Sequence, residues 1–383
     1  MKLKLLRISY FTILLAFTGL LIFSEIDFPK KSTPKKAKAN PSFIDFYLLK
    51  KKNESGIIPG GLSRTWEKQT LIPNKTGDVL MDSVTELGPF TVGGRTRSIV
   101  IDHKNPQIMW LAAISGGVWK TNDGGASWFP INDQAPNLNV SYIEQNPFNE
   151  NILYYCTGEG AGNSSGAPGD GIYKSTDRGQ TFERLAASEI PAFDYGWKII
   201  SSPLDSHTFW VATGYAGLWK SEDAGASFKQ VYVSNRPIYD IEIFSDGKIL
   251  MGVNQLGLFM SNNGDSGTFT QVTAGLPISS TGRYEIAISP TNPSKVYLAI
   301  ANNTNTALVG FYSSVDSGQT FVEKRNPSLD GGYYPFTWYC LIIGVRANNE
   351  DHVFIGSVNP MVSFDGGDNW VRAENSHADY HVY

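Results

Sequence analysis

Short apolar runs separated by polar turns recur along most of this chain. Six stretches share the order apolar run, polar turn, apolar run, and they are residues 97–115, 141–158, 197–214, 239–255, 284–301 and 340–357. Short runs that are almost free of polar positions are typical of strands covered on both faces. We therefore predict that each stretch forms a pair of antiparallel strands, A and B.

A second pattern follows each pair, and its first copy is TNDGGASW at residues 121–128. An alternating strand leads into Thr121, turn-forming residues follow, and Trp128 begins another apolar run, so the pattern predicts a hairpin of strands C and D. Within the turn, Asp123 can accept hydrogen bonds from backbone N–H groups, and Gly125 can adopt a positive φ. The hydroxyls of Thr121 and Ser127 can bridge the two strand ends.

The hairpin pattern recurs at 174–182, 220–228, 313–321 and 363–370, and a sixth copy at 261–269 has Asn263 in place of the aspartate. The anchor positions are spaced by 54, 46, 40, 53 and 49 residues. This period fits one four-stranded antiparallel unit, the size of a β-propeller blade, so we predict an all-β propeller with six such blades. Five aspartates are expected on one rim, with their aromatic partners buried: Asp123, Asp177, Asp223, Asp316 and Asp365.

The hairpin pattern resembles the repeat of the Asp-box, or BNR, β-propellers. Its consensus is matched at Thr121, Asp123, Gly125, Ser127 and Trp128, and at the same positions of 175–182, 221–228 and 314–321. The resemblance covers roughly residues 88 to 383. It is greatest to secreted bacterial proteins grouped with the sortilin amino-terminal propeller and the tandem-propeller xyloglucan hydrolases. It implies that the boxes lie on the face away from ligands and mark the fold rather than the chemistry.

The last residues, 376–383, predict the innermost strand of a seventh blade. Either the chain is truncated, which we favour, or six blades form the ring and these residues close it. Along this strand His377, Asp379 and His381 would face the same way, and they are candidate metal ligands. Because neighbours on one strand face are about 7 Å apart, a hydrogen-bonded structural cluster is the favoured interpretation.

The amino terminus has the layout of a secretory signal, with three basic residues in 1–7 and an apolar run over 8–23. Its cleavage site is poor, so residues 1–24 are interpreted as a signal peptide or an amino-terminal membrane tether. Residues 25–87 form a basic linker and an amino-terminal extension, and the propeller occupies 88–383. Either interpretation predicts a secreted or cell-surface protein.

Charge and composition restrict the function. Residues 53–383 carry 21 Lys and Arg against 33 Asp and Glu, which disfavours a nucleic-acid partner. The two cysteines, Cys156 and Cys340, lie in apolar strands of different repeats and are interpreted as separate buried thiols rather than a disulfide. No phosphate-binding loop, serine hydrolase elbow or zinc spacing occurs, so no cofactor is expected.

Propeller ligands normally meet the rim that carries the B–C and D–A loops. The longest of these loops are 158–171, 186–196, 273–283 and 325–337. They and the adjacent strand starts supply the ligand-binding candidates Tyr195, Trp197, Arg283, Tyr333, Tyr334 and Trp338. Aromatic faces with nearby carboxylates suit sugar rings, although loop aromatics also occur as padding and at protein interfaces.

An enzyme of this fold would need further groups. A glycosidase requires two carboxylates about 5 to 10 Å apart, and the candidates are Glu159, Asp170, Asp194 and Asp330. No family catalytic motif surrounds them, and Arg95, Arg97, Arg236, Arg283 and Arg346 are scattered near strand ends without a sialidase signature. We therefore predict a glycan- or protein-binding propeller, with a glycoside hydrolase of the same fold as the alternative. The sequence leaves the ligand and the oligomeric state open.

Overall fold

The computed structural model describes residues 95–160, 166–330, 333 and 335–373. Over these residues the chain forms six four-stranded antiparallel sheets, each made of four consecutive strands. The sheets are the blades of a β-propeller ring, so the predicted all-β class and the six blades are confirmed. The predicted strand of 376–383, with His377, Asp379 and His381, lies outside the described residues, as do Tyr334 and residues 1–94.

Each blade follows the predicted order A, B, C, D from the channel outward. The strands of blades 1 to 3 are β1 Arg95–Ile101, β2 Met109–Ile114, β3 Gly117–Thr121, β4 Phe129–Pro130, β5 Val140–Gln145, β6 Leu153–Thr157, β7 Ile172–Ser175, β8 Glu183–Arg184, β9 Gly196–Ser201, β10 Phe209–Thr213, β11 Leu218–Ser221 and β12 Lys229–Tyr232. Those of blades 4 to 6 are β13 Ile238–Ile243, β14 Ile249–Val253, β15 Gly257–Ser261, β16 Thr270–Val272, β17 Thr281–Ile288, β18 Val296–Asn302, β19 Leu308–Ser314, β20 Val322–Lys324, β21 Ile342–Arg346, β22 Asn349–Gly356, β23 Met361–Ser363 and β24 Val371–Arg372. Short 3-10 helices occupy Ala186–Ser188, Pro191–Phe193 and Pro327–Asp330.

The hydrophobic core lies between blades. All five residues of β6, β10 and β14 are buried, as apolar runs covered on both faces require. Between blades 1 and 2, for example, Trp110 and Val118 pack against Ile143 and Tyr155. The outermost strands are short and mostly exposed, because no neighbouring sheet covers them. Cys156 and Cys340 are both buried thiols that form no disulfide with each other, as predicted.

The aspartate of each hairpin turn organises its own loop. In blade 2, Asp177 accepts hydrogen bonds from Ser175 Oγ at 2.7 Å, from the backbone N–H of Thr181 at 2.9 Å and from Thr181 Oγ1 at 2.6 Å. Ser175 Oγ accepts the Gly179 N–H at 2.8 Å. Burial alone would raise the pKa of Asp177, but the hydrogen bonds that its carboxylate accepts have the larger effect and lower this pKa to about 2. The turn is therefore a self-contained polar unit.

The same arrangement is found at Asp123, Asp223, Asp316 and Asp365. In these five blades a backbone N–H of the hairpin turn also donates to a carbonyl of the A–B turn of the same blade, at 2.9 to 3.0 Å. The five aspartates thus lie on one rim, together with the A–B turns. Their aromatic partners are buried at Phe321 and Trp370 and half-buried at Trp128, Phe182 and Phe228.

Within the part of the chain that the structure describes, no helix has the length and apolar character needed to cross a membrane. Nor do the described residues contain a group of three or more His, Cys, Asp or Glu suited to a metal ion.

Candidate functional site

The six A strands surround a central channel with a cavity of about 210 Å³. Each A strand starts where its B strand ends, as the pairing of Arg95 with Ile114 illustrates. The B–C and D–A loops therefore meet at one end of the channel, on the rim opposite the aspartate turns. We call this end the channel mouth.

Two arginines at the mouth converge on one carboxylate. Arg97 Nη2 lies 2.9 Å from Glu159 Oε1, and Arg95 contributes Nη1 at 3.2 Å to Oε1 and Nη2 at 3.0 Å to Oε2. Arg95 Nη1 also donates to the Tyr339 hydroxyl at 2.8 Å. The side chain of Glu159 is fully buried. Glu159 is thus neutralised by two guanidinium groups, a role that suits positioning better than acid catalysis.

Aromatic rings extend from this cluster around the mouth. The Arg97 guanidinium lies 5.4 Å from the centre of the Trp197 ring and 5.0 Å from that of Tyr339. Trp197 meets Tyr239 edge-on at 4.9 Å, and Trp338 lies 5.1 Å from Tyr339. We call this set the aromatic arc, and its members are Tyr195, Trp197, Tyr215, Tyr239, Phe336, Trp338 and Tyr339.

The other end of the arc holds the start of the long B–C loop of blade 2. Tyr195 and Tyr215 meet edge-on with ring centres 5.7 Å apart. The Tyr215 hydroxyl donates to the Gly160 carbonyl at 2.6 Å. A Cβ at Gly160 would lie 3.1 Å from the Tyr195 ring, so glycine permits this close approach. The loop is therefore fixed to the arc directly beside Glu159.

Below the mouth, the channel is lined by ion pairs. Lys198 Nζ lies 2.6 Å from both Asp240 Oδ1 and Glu242 Oε1, and Arg283 Nε lies 2.6 Å from Glu285 Oε1. Arg283 Nη2 also donates to the Leu341 carbonyl at 2.8 Å, and Arg283 is 4% exposed. Arg283, a predicted ligand-binding residue, thus lies inside the channel and links blades 5 and 6.

Carboxyl groups outnumber the cations in this part of the channel. Burial raises the pKa of Glu144 to about 7, although the hydrogen bond that Glu144 accepts from the Ser201 N–H lowers it. Burial also raises the pKa of Glu285 to about 8, despite the neighbouring Arg283. Burial thus opposes ionisation of these carboxyl groups, and the neighbouring cations favour it. These groups belong to the inner wall of the propeller.

The remaining predicted catalytic residues are dispersed. Asp170 is buried and accepts a hydrogen bond from the Tyr173 hydroxyl at 2.9 Å. Asp330 accepts one from Arg325 Nε at 2.7 Å. Asp194 is half-buried, and burial together with the charge of Asp170 raises its pKa to about 6. Asp170 and Asp194 thus lie close enough to interact electrostatically, whereas Asp330 pairs separately with Arg325.

The predicted aromatic residues divide into two sets. Tyr195, Trp197 and Trp338 belong to the aromatic arc. Tyr333 is buried in the hydrophobic core between blades 5 and 6, where Tyr297, Phe311 and Trp370 also pack. It therefore presents no face to a ligand in this structure.

Several residues of the site were not predicted from the sequence. Tyr339 and the shared contact of Arg95, Arg97 and Glu159 belong to the mouth, and Lys198, Asp240, Glu242 and Glu285 belong to the channel. The channel residues had a signal in the sequence, since each is a charge inside an otherwise apolar strand. Such a charge needs a partner when it is buried.

No protein-family model matches the chain, and no curated protein matches it either. Several solved structures do match the chain. The GH74 enzyme of Niastella koreensis is 22% identical, with a TM-score of 0.55, and the match covers 73% of this chain and 45% of that one. YCF48 from Cyanidioschyzon merolae is 17% identical, with a TM-score of 0.54 and coverage of 76% and 88%. A structure of YCF48 bound to D1 peptide is 12% identical, with a TM-score of 0.52 and coverage of 74% and 83%.

The likeness is one of fold. At sequence identities this low, the matches show that the chains share a fold, and they do not show that matched residues have the same role. The match also spans less than half the length of the GH74 enzyme. The chemistry of the mouth is therefore argued from its own residues.

Proposed function

We propose that this protein is a secreted or surface-tethered β-propeller of the Asp-box type that binds a glycan or an extracellular protein segment at the channel mouth. The aspartate turns of five blades, with their shared hydrogen bonds, support the Asp-box assignment. The basic and apolar start of the sequence supports the location. The aromatic arc is the observation that carries the binding function.

A glycan is the ligand that the arc supports best. Trp197, Trp338 and Tyr195 are half-buried at the mouth, so part of each ring surface remains available. Sugar rings stack their C–H faces on such surfaces while their hydroxyls take hydrogen bonds from fixed polar groups. Arg95 and the Tyr215 hydroxyl are fixed polar groups beside the rings. A protein segment is the alternative, and the YCF48 propeller solved with a D1 peptide is a precedent for that ligand class on this fold.

Trp338→Ala tests this function. Binding to immobilised glycans and to extracellular protein segments is measured for the wild type and the variant. We expect the affinity to fall at least tenfold, about 1.4 kcal/mol, because the variant loses a stacking face. Phe148→Ala is the matched control, since Phe148 is 54% exposed in the A–B turn of blade 2, on the opposite rim. Equal losses in the two variants, or no loss in Trp338→Ala, would reject the arc as the binding surface.

Hydrolysis remains the second candidate because of Asp194. A half-buried carboxyl with its pKa raised to about 6 has the character of a general acid. Its nearest predicted partner, Asp170, is buried and held by Tyr173, which argues against a carboxylate pair across a sugar. Release of reducing ends from β-glucan or xyloglucan oligomers, lost in Asp194→Asn, would establish the enzyme in place of the binding module.

A further inference from the structure

Arg95 combines a fixed position with an accessible charge. Its side chain is 33% exposed, whereas that of Arg97 is 8% exposed. Its contacts to Glu159 and to the Tyr339 hydroxyl run through Nη1 and Nη2. Among the described residues nothing bonds its Nε, so this edge of the guanidinium is open to a ligand. An arginine held in this way binds a planar anion with little further loss of side-chain entropy.

The cluster around Glu159 contains more guanidinium groups than carboxylates, whereas carboxyl groups outnumber the cations in the channel below it. Arg95 and Arg97 share a single carboxylate, Glu159. Two other carboxylates of the rim loops have partners of their own, since Asp170 is buried against Tyr173 and Asp330 pairs with Arg325. Asp194 lies in the loop next to this cluster, since its carbonyl accepts the Gly169 N–H and Trp197, three residues further on, lies 5.4 Å from the Arg97 guanidinium. Arg95, the more exposed of the two arginines, is therefore the cation that a ligand at the mouth meets first.

This positive group lies beside the stacking surface. Arg95 Nη1 bonds the Tyr339 hydroxyl at 2.8 Å, and the Tyr339 ring lies 5.1 Å from that of Trp338. A sugar ring stacked on these two aromatics brings the substituents at its edge toward Arg95. In a uronic acid one such substituent is a carboxylate, which matches the planar fork of a guanidinium.

We propose that the channel mouth binds an acidic glycan, with a uronate ring stacked on Trp338 and Tyr339 and its carboxylate bound by Arg95. The inference rests on the proposed glycan-binding function and narrows its ligand to uronate-containing chains.

Galacturonate oligomers provide a matched pair of probes. The free acid and the fully methyl-esterified oligomer have the same sugar backbone, and only the first carries carboxylates. Calorimetry on the full chain should give at least tenfold tighter binding of the free acid. Equal affinity for the two oligomers would overturn the proposal while leaving glycan binding intact, and binding of neither would overturn both. Tighter binding of an acidic peptide than of the acid oligomer would assign the mouth to a protein ligand instead.

Two substitutions test whether Arg95 causes the preference for the acid oligomer over the ester. Arg95→Gln should abolish the difference between the two oligomers, with a larger loss of affinity for the acid than for the ester, whereas Arg95→Lys should retain part of the difference. Arg346→Gln is the control, because Arg346 is an exposed arginine at the far end of the A strand of blade 6. A preference for the acid that survives in Arg95→Gln would refute the assignment. The comparison of acid and ester in the wild type stands even where a variant folds poorly.

Discussion

Asp102 offers the sharpest test of how neighbouring blades are joined. Its fully buried carboxylate accepts the backbone N–H groups of Lys104 and Asn105, both at 2.9 Å, and Gln145 Nε2 at 3.0 Å. Arg178, from the aspartate turn of blade 2, donates to it from Nε and Nη2, both at 2.8 Å. Asp102→Ala removes all of these acceptors and so weakens the link between blade 1 and blade 2 at the rim of the aspartate turns.

The expected loss follows from the burial of the two partners. Breaking a buried ion pair from one side costs about 3–5 kcal/mol. The Arg178 side chain is 30% exposed, so its freed charge can reach water, and we expect the lower end of that range, about 3 kcal/mol. With an unfolding entropy of about 2 cal/mol/K per residue, that corresponds to a fall in Tm of about 5 °C for a propeller of this size.

The effect of Asp102 should also depend on pH. Burial alone would raise its pKa, but the Arg178 guanidinium and the N–H donors hold the pKa of Asp102 well below its usual range. A carboxylate with a lowered folded-state pKa stabilises the protein above its unfolded-state pKa and loses this effect as the pH falls. The Tm difference between wild type and Asp102→Ala should therefore be full at pH 7 and shrink below about pH 4.

Asn146→Ala is the matched control, read by thermal and urea unfolding. Asn146 occupies the same turn of blade 2, where Oδ1 accepts the N–H groups of Phe148 and Asn149 and Nδ2 donates to the Ser206 carbonyl. These neutral bonds predict a loss of about 1 kcal/mol. Equal losses in the two variants, or a loss in Asp102→Ala that is independent of pH, would refute the reasoning.

Two further substitutions test the turns and the channel. Asp177→Ala should lower the free energy of unfolding by about 1–2 kcal/mol in urea, since the turn N–H groups it leaves are exposed and water can replace it; a loss as large as that of Asp102→Ala would contradict this. Glu144→Gln should leave Tm nearly unchanged below about pH 4 and raise it progressively toward pH 8, because the unfolded carboxyl ionises above its usual pKa of about 4.3 whereas burial raises the folded pKa to about 7. A lower Tm at pH 8 would show that the ionised form is stabilised.

The fold was predictable because its signals are local. An A–B pair such as β5 and β6 lies within one apolar, polar, apolar stretch, and each aspartate turn carries all of its hydrogen-bonding groups within about seven residues. The bounds of the outer strands were less predictable, since strands exposed at a sheet edge lack a strong apolar pattern. Phe129–Pro130 is an example.

The candidate site was predictable only in part. Loop length and aromatic content indicated Tyr195, Trp197 and Trp338, but composition does not distinguish an aromatic that lines a mouth from one that fills a core, as Tyr333 does. The cluster around Glu159 joins residues 64 and 244 positions apart in the chain. A local sequence pattern cannot predict contacts between residues so far apart, because these contacts form only when the ring brings blades 1, 2 and 6 together.

The short outer strands have a consequence for behaviour at high concentration. A long, flat sheet edge offers a row of unpaired N–H and C=O groups to another molecule, which is how edge-to-edge aggregation begins. Here the outermost strands of blades 1, 2 and 6 have two residues each, and in blade 1 one of the two is Pro130, which has no N–H to donate. These blades therefore give intermolecular β-pairing almost no template, which should limit aggregation at high protein concentration.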